Sequence, residues 1–383
     1  MLLPTPQPEK WETGRLPACL FPFPAFSDPD SNRRMMKKSK TSPYLKHPTQ
    51  PVQIDRDRSV AGLLNKMETS SFQARNLAIA HNIWLNMLDD NTTIVLGISG
   101  ALVAAGMRRI IAWLIRNRYV DVVVSNGANI FHDVHETLGR QHYLGSPSLD
   151  SAELQNLAIG RVYDTLISEE EFREADQWLA SFINTLEQNR PYSTREFLHL
   201  LGHELSEIAN EDGILTSAFK ARVPVFCSGV VDSVLARGIA ASRIDRKSPF
   251  MFDVIQDVVE MAHILAGSVN TGAAFFGTGT PPNFVKQAHS TASVINSRIR
   301  DHKYFLQVIT ESPYMSSSIS GHLEDKENWT KPSKELRSVS VYCDPTIAMP
   351  ILVTGLSQSA TKQIKQRRKP TFTHGRELGV TFA

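Results

Sequence analysis

Six short, nearly continuous apolar runs, separated by segments of helical periodicity, constrain the fold of this chain more than any other feature. Each run is rich in β-branched or aromatic residues and ends in glycine or a polar residue. Unbroken apolar strands that alternate with helices are typical of a parallel sheet covered on both faces. The sequence therefore predicts an α/β fold with a Rossmann-like, doubly wound, mostly parallel sheet and helices on both faces. The predicted strands are Thr92–Ser99, Val120–Asn129, Val223–Gly229, Gly272–Thr280, Lys303–Thr310 and Ser338–Asp344.

The overall composition fits a protein of the reducing cytoplasm. The 383 residues are 42% hydrophobic and 21% charged, and a net charge of +2 gives no reason to expect nucleic acid or membrane partners. The three cysteines are odd in number and scattered, which argues against a disulfide framework. The longest apolar runs, such as Ile110–Ile115, are too short to span a bilayer, and we expect no signal peptide.

Three regions differ in character along the chain. Residues 1–42 hold seven of the 21 prolines within their first thirty positions and show no apolar period, which predicts a disordered extension or a start codon assigned upstream of Met35 or Met36. Residues 43–358 carry the alternating pattern and form the predicted catalytic domain. Residues 359–383 are basic and are predicted to form a solvated tail.

Small and polar residues cluster where the predicted strands end. Ligands of open α/β sheets bind beyond the carboxyl ends of the strands, and glycine there lets the backbone approach a phosphate. No GxGxxG is present, and each glycine alone is more often a turn, but several in one sheet favour a dinucleotide site. Asp232 and Asp344 are candidates to accept hydrogen bonds from ribose hydroxyls. The strand-end candidates are Ser99, Gly100, Ser125, Asn126, Gly127, Ala128, Asp232, Gly277, Thr278, Gly279, Thr310 and Asp344.

Two histidine groups offer an alternative reading as zinc sites. The first contains His132, His135 and His142, and the second places His199 and His203 at i, i+4 on one predicted helix. Neither matches HExxH and no cysteine lies near them in sequence, so we expect no metal. A serine hydrolase is also disfavoured, because the chain has no GxSxG motif.

A lysine near the end of the chain stands two residues from a tryptophan, in the polar stretch ENWTKPSKE. The simplest interpretation is that Trp329 fills a groove while Lys331 is solvated. The chemical interpretation is that an aromatic wall lowers the pKa of Lys331, which makes the amine a nucleophile able to form imines.

Several segments together resemble the deoxyhypusine synthase family, in particular its prokaryotic deoxyhypusine synthase-like branch. The resemblance covers about Pro43 to Leu356. The segments that carry it are SGALVAAGMRRII, VVSNGANIFHDVHETLG, STREFLHLLGHEL, DGILTSAFKARVPVFC, NWTK and VYCDPTIAMPILVTGL.

The resemblance implies an NAD-dependent aminobutyltransferase that acts on the polyamine spermidine. In the family, 1,3-diaminopropane is lost and the aminobutyl group passes through a lysine imine to an acceptor amine, here expected to be a protein lysine of the hypusine-bearing translation factor. Hypusine biosynthesis, a cytoplasmic location and a homotetramer belong to the same expectation. A homospermidine synthase-type transfer to putrescine, or a regulatory family member of low activity, remains an alternative.

Roles for individual residues also follow from the resemblance. Lys331 would carry the imine, Trp329 would wall the polyamine chain, and Asp325 would hold one of its amines. Asn283 and Gln287 occupy substrate-site positions of the family. The nucleotide would contact the strand-end candidates above, together with Ala104.

The sequence departs from the family pattern around the amine substrate. Arg237 stands where eukaryotic members have a second polyamine-binding aspartate, Phe131-His132 replace a pair of glutamates, and Thr330 replaces the glycine between tryptophan and lysine. Asn283 and Gln287 are themselves replacements, for a histidine and an asparagine. The sequence alone leaves the acceptor open, and with it whether Arg237 permits spermidine to bind.

Overall fold

A six-stranded sheet lies at the centre of the computed structural model, which describes residues 47–231, 233–244, 250–299, 301–311 and 336–382. Each of its strands coincides with one of the six predicted runs to within a few residues. In chain order, the strands of the protein are β1 (Thr93–Ile98), β2 (Val122–Asn126), β3 (Tyr143–Leu144), β4 (Ile159–Val162), β5 (Thr165–Ser168), β6 (Pro191–Tyr192), β7 (Val225–Gly229), β8 (Met251–Phe252), β9 (Thr271–Phe276), β10 (Tyr304–Ile309), β11 (Arg337–Tyr342), β12 (Thr371–His374) and β13 (Leu378–Thr381).

The central sheet has the order β7-β2-β1-β9-β10-β11, and every neighbouring pair in it is parallel. Counted along the chain, its six strands therefore lie in the order 3-2-1-4-5-6. This order reverses direction between β1 and β9, where Ile98 pairs with Phe276. Such a reversal opens a crevice beyond the carboxyl ends of the two strands. The predicted parallel α/β architecture is confirmed.

Helices cover both faces of this sheet. A π-helical turn, Val103–Met107, precedes α3. The helices are α1 (Val60–Met67), α2 (Phe72–Asp89), α3 (Arg108–Arg116), α4 (Gly127–Thr137), α5 (Ser151–Asn156), α6 (Glu169–Thr185), α7 (Thr194–Ile208), α8 (Ile214–Ala221), α9 (Val234–Ile244), α10 (Val254–Gly267), α11 (Thr280–Ile295), α12 (Pro345–Ser359) and α13 (Thr361–Gln366).

The hydrophobic core is divided between the two faces of the sheet. On β1, Ile94 and Leu96 pack into one cluster with α2, α3 and α12, whereas Val95 packs into a second cluster with α10 and α11. Because successive strand side chains point to opposite faces, a strand covered on both sides needs apolar residues at every position. This explains the unbroken apolar runs. α6 likewise turns an apolar stripe to the core, with Leu179 fully buried.

The remaining strands are short and form small separate sheets. β3, β5 and β4 make a three-stranded antiparallel sheet, β6 pairs with β8, and β12 pairs with β13 as a hairpin. These strands have two to four residues each, too few to produce a recognisable period in the sequence.

The prediction of a solvated tail for residues 359–383 was wrong. This segment forms α13 and the β12–β13 hairpin, and Phe372 packs into the core. Its basic residues are partly buried: the Arg367 side chain is inaccessible to solvent and forms an ion pair with the equally inaccessible Asp121 between β1 and β2. Arg195 of α7 pairs with Glu260 of α10 at 2.7 Å and donates to the carbonyls of Gly375 and Arg376 in the hairpin. Charge composition predicted solvation here, but paired arginines can be buried.

No helix in the described ranges is long and apolar enough to cross a membrane.

Candidate functional site

The crevice between β1 and β9 brings together two of the predicted strand-end groups. The backbone N–H of Ser99 donates to Phe276 O at 3.0 Å, and that of Gly277 donates to Val308 O at 2.9 Å. Ser99 and Gly277 therefore lie side by side where the strand order reverses. A β-carbon added at Gly277 would lie only 2.9 Å from Ser99 Cβ, so a side chain at this position would clash.

Three glycines around the crevice adopt conformations that other residues rarely adopt. Gly100, Gly277 and Gly279 have φ values of 72°, 88° and 92°. A β-carbon added at Gly100 or Gly279 would have no atom of the described residues, apart from its chain neighbours, within 4 Å. These turns leave exposed backbone next to open space, as a ligand with closely packed phosphates requires.

Ser99 carries a buried hydroxyl without a partner in the described part of the chain. The residue is 7% exposed, and its Oγ bonds to none of the described residues. An unpaired buried hydroxyl is costly, and such groups usually indicate a missing ligand or water. Ser125, predicted for the same site, differs: its hydroxyl is fully buried and donates to Asn126 O at 2.9 Å.

Asn126 joins the loop after β1 to the start of α4. Its Nδ2 donates to Gly100 O at 3.0 Å, and its Oδ1 accepts from the backbone N–H of Asn129 at 3.2 Å, which caps α4. Asn129, which the sequence analysis did not single out, continues the connection by accepting from Val103 N at 3.0 Å. The two asparagines hold the loops after β1 and β2 in a fixed relation. Polar residues at strand ends are as suitable for capping as for binding, and only the structure distinguishes the two roles.

β7 contributes two further contacts to this edge. Ser228 Oγ donates to Thr280 Oγ1 at 3.0 Å and lies 3.4 Å from Ser125 O, which fixes the first turn of α11 against β7 and β2. Gly127 is required for close packing, since a β-carbon there would lie 2.1 Å from Ser233 Oγ. Ser228 and Thr280 were missed by sequence reasoning, although each directly adjoins a glycine turn at a strand end.

α11 begins at the crevice without a side-chain cap. Its N-cap residue is Gly279, which has no side chain to accept from the first turn, and Pro281 and Pro282 in that turn have no backbone N–H. The neighbouring Thr278 hydroxyl instead donates to the carboxylate of Glu311 at 3.1 Å. Thr310 precedes Glu311 at the end of β10, and both are exposed. An uncapped helix N-terminus carries partial positive charge and favours an anion.

The remaining predicted site residues differ in their position and burial, and some of them lie outside the described ranges. Asp344 already has a structural role, because its Oδ1 accepts from Thr346 N at 2.8 Å and from Thr346 Oγ1 at 2.7 Å at the start of α12. Ala104 is 7% exposed on the π-helical turn. Asn283 and Gln287 lie four residues apart on α11 and are exposed, and Ala128 is half-buried at the start of α4. Asp232, Asp325, Trp329 and Lys331 lie outside the described residues, as does Thr330.

Arg237 forms an ion pair on the surface of α9. Its Nε bonds to Asp176 Oδ2 of α6, and the arginine side chain is 55% exposed. Burial raises the pKa of Asp176, and the Arg237 charge opposes that rise. The guanidinium charge is therefore partly offset by a partner on a neighbouring helix.

The first histidine group is largely buried and packs against Phe172, whereas in the second group His199 is half-buried and His203 is exposed. His132 Nδ1 lies 2.8 Å from His142 Nε2, and His142 Nδ1 lies 2.8 Å from Glu136 Oε1. Burial, followed by the neighbouring His142, lowers the pKa of His132 to about 3. The ring of His199 stacks on His374 of the hairpin at 4.0 Å. Within the described ranges, no group of three or more His, Cys, Asp or Glu side chains is arranged to hold a metal ion.

The thiol of Cys227 on β7 is unsuited to nucleophilic catalysis. It is buried, and burial raises its pKa to about 12, so it stays protonated at neutral pH. Cys343, at the end of β11, is half-buried, and its pKa is raised by burial and by the adjacent Asp344.

Comparisons with known proteins agree on one family. The model of the deoxyhypusine synthase family matches residues 62–356. A probable deoxyhypusine synthase 2 of Methanosarcina mazei is 38% identical over 342 residues, which cover 89% of this chain and 98% of that protein. The corresponding protein of Archaeoglobus fulgidus is 40% identical over 291 residues, 76% of this chain and 95% of its own length. A deoxyhypusine synthase-like protein of Coxiella burnetii is 30% identical over 328 residues, which cover 84% of this chain and 92% of that protein.

One solved structure supports the fold. A crystal structure provisionally assigned as a deoxyhypusine synthase of Entamoeba histolytica aligns with a TM-score of 0.58 at 17% identity, covering 81% of this chain and 97% of that one. At this identity the likeness bears on the fold alone.

The crevice has features that a dinucleotide would use. It combines a reversal of strand order, exposed backbone at Gly100 and Gly279, an uncapped helix N-terminus and the unpaired hydroxyl of Ser99. Together these offer exposed backbone to an anion and a hydrogen-bonding group to a polar ligand, although Pro281 and Pro282 leave Thr280 as the single backbone donor among the first three residues of α11. The described residues therefore fit NAD.

Proposed function

The chain belongs to the deoxyhypusine synthase family, and we propose that it transfers the aminobutyl group of spermidine to an acceptor amine in an NAD-dependent reaction. The observation that carries this proposal is the β1–β9 crevice, where the buried Ser99 hydroxyl, beside the Gly277 turn, has no partner among residues that the structure describes. NAD would be held by Ser99, Gly100 and Gly277–Gly279, with the strand-end groups of β2 and β10 nearby. NAD supplies the hydride acceptor and, once reduced, the hydride donor.

Lys331 is the proposed nucleophile. Its neutral amine would displace 1,3-diaminopropane from the oxidised substrate and hold the four-carbon unit as an imine until the acceptor amine takes its place. Trp329 would wall the polyamine and lower the pKa of Lys331 by excluding water, while Asp325 would bind a substrate ammonium. Support for these roles comes from the match of Trp329-Thr330-Lys331 to the family motif.

The proposed acceptor is a protein lysine of the hypusine-bearing translation factor, and the assembly is proposed to be a cytoplasmic homotetramer. The ion pair between Arg237 and Asp176 supports an active enzyme over a purely regulatory protein. A guanidinium that is already paired repels a polycation less than a free one. Asp232 and Asp344 remain proposed ribose contacts, and Asn283 and Gln287 remain proposed substrate contacts.

Borohydride trapping tests the proposal directly. Wild-type protein incubated with NAD and spermidine should release 1,3-diaminopropane and acquire a reducible adduct, detected by mass spectrometry. Lys331→Ala and Lys331→Arg should both lose the adduct and retain NAD binding, because guanidinium cannot become a nucleophile at working pH. Lys362→Ala, on exposed α13, is the control and should keep the adduct.

The outcomes separate the alternatives. An adduct that persists in Lys331→Ala would assign the chemistry to another lysine. Failure of the wild type to form any adduct with any polyamine would contradict the enzymatic proposal. Adding putrescine or the translation factor as acceptor then distinguishes homospermidine formation from deoxyhypusine formation.

A further inference from the structure

A second cavity lies at the end of the sheet opposite the crevice. It has a volume of about 170 Å³ and is bounded by the connection from α10 to β9 and the connection from α11 to β10. Thr271 at the start of β9 and Lys303 just before β10 both line it. This volume corresponds to roughly five or six water molecules, enough for a compact ligand but far too small for a dinucleotide.

Hydrogen bonds hold the cavity walls in place. Ser268 Oγ lies 2.7 Å from Ile264 O and 2.9 Å from Thr93 Oγ1, and Asn296 Nδ2 donates to Ala266 O at 3.3 Å. These bonds occupy two carbonyls in the last turn of α10, where helix carbonyls carry partial negative charge. The walls are therefore fixed without a ligand.

The charged groups that line the cavity differ in their partners. Lys303 Nζ bonds to Asp90 Oδ2 at 2.7 Å, and Asp301 Oδ1 lies 3.6 Å from His289 Nδ1. Arg298 is exposed, and although its backbone N–H donates to Asn296 Oδ1 at 3.0 Å, its guanidinium has no bonding partner among the described residues. An unengaged guanidinium thus stands at a preformed polar cavity.

We propose that this cavity binds a compact oxyanion, the shared chemistry of inorganic phosphate and a small carboxylate, with Arg298 as its anchor. A guanidinium presents parallel N–H donors that match the oxygens of either group. Two groups oppose an anion here: the end of α10, whose partial charge is partly bonded, and the carboxylate of Asp301, whose Oδ1 lies 3.6 Å from His289 Nδ1. The full positive charge of Arg298 offsets them.

Binding here would act on the same strands that form the crevice. β9 runs from Thr271 at the cavity to Gly277 at the crevice, and β10 connects Lys303 to Thr310. An oxyanion would thus brace the amino ends of two strands whose carboxyl ends carry proposed nucleotide contacts.

Isothermal titration calorimetry tests the proposal. The protein is titrated with sodium phosphate and, separately, with sodium acetate, and each titration is compared with one using sodium chloride at equal ionic strength. The titrations are run with and without saturating NAD, because an anion bound in the crevice would be displaced by NAD whereas one in this cavity would not. The wild type should bind at least one of the two anions in both conditions. Arg298→Ala should weaken that binding at least about tenfold, the expected loss of a charge-assisted bond, and Arg298→Lys should weaken it less.

Arg173→Ala is the matched control, since Arg173 is an exposed arginine on α6 whose Nε bonds only to the carbonyl of Glu169, at 3.3 Å. It should bind the anion like the wild type. The proposal is overturned if neither anion binds beyond the chloride reference, if both Arg298 variants bind as the wild type does, or if Arg173→Ala loses as much affinity as Arg298→Ala.

Discussion

Asp344 and Ser99 both follow apolar strands, yet their side chains differ in what they already bond. The Asp344 carboxylate caps α12 through two bonds to Thr346, whereas the Ser99 hydroxyl has no partner. The sequence predicted both as cofactor contacts because strand-end polar residues are common in such sites. The structure shows that one of them contributes to the fold without any ligand, so their substitutions should have different effects.

For Ser99→Ala we expect an unchanged or slightly higher melting temperature together with weaker NAD binding. Removing a buried, unpaired hydroxyl relieves a desolvation cost, while the loss of a hydrogen bond to ligand corresponds to about 0.5–1.5 kcal/mol. The measurements are thermal unfolding and calorimetric titration with NAD. Ser125→Ala is the control, and should lower stability because its hydroxyl is already bonded. A clear loss of stability in Ser99→Ala would mean that the hydroxyl contributes to the fold.

For Asp344→Ala we expect a loss of about 1 kcal/mol in the free energy of unfolding, because the N-cap of α12 is removed. Asp344→Asn keeps a capping oxygen and should retain most of this stability. The NAD affinity of the asparagine variant, measured by titration, then isolates the carboxylate. If that affinity equals the wild-type value, the carboxylate has no contact with ribose.

At the scale of elements, long buried strands could be predicted and short exposed ones could not. The six central strands have five or six residues. Burial on both faces imposes a continuous apolar pattern on inner strands such as β1 and β9, whereas the edge strand β11 buries only the alternate residues Val339 and Val341. β12 and β13 have four residues each, and their positions depend on contacts with α7 and α10, far away in sequence. Contacts between residues far apart in sequence also limit what can be predicted for the site. The positions at strand ends were predictable, but the capping role of Asn126 depends on which loop lies beside it.

The β12–β13 hairpin should detach from the domain more easily in acid. Burial, and secondarily the His374 ring, lowers the pKa of His199 to about 3, and burial lowers that of His374 to about 4. An unfolded histidine titrates near 6.5, so the neutral rings contribute fully above that pH, and their contribution is lost as pH falls from 6.5 towards 4. We expect the free energy of unfolding, measured with denaturant, to fall over this range.

His374→Phe provides the comparison for this pH dependence. Phenylalanine preserves a ring against His199 but removes one of the two titrating groups. Its unfolding free energy should decline less steeply between pH 6.5 and 4 than that of the wild type. Parallel declines in the two proteins would assign the acid sensitivity to the other buried histidines, such as His132 and His302.

At the scale of the whole molecule, residues Thr49–Ala383 form one compact unit that contains the central sheet and both core clusters. We expect removal of residues 1–42 to leave the melting temperature and NAD binding unchanged, since their sequence has no apolar period with which to pack against the domain. Thermal unfolding and NAD titration of the shortened protein check this. A drop of many degrees in melting temperature would show that the segment stabilises the domain.

The ion pair between Asp121 and Arg367 also bears on the order in which the protein can fold during synthesis. The two residues are 246 positions apart, and Asp121 lies at the entry to β2, which is flanked by β1 and the edge strand β7. A ribosome makes the β1–β2 region long before it makes Arg367. If the sheet folded before then, it would bury the Asp121 carboxylate with Arg118 as its one ion-pair partner among the described residues. The nascent chain is therefore expected to delay consolidation of its central strands until its C-terminal segment has emerged.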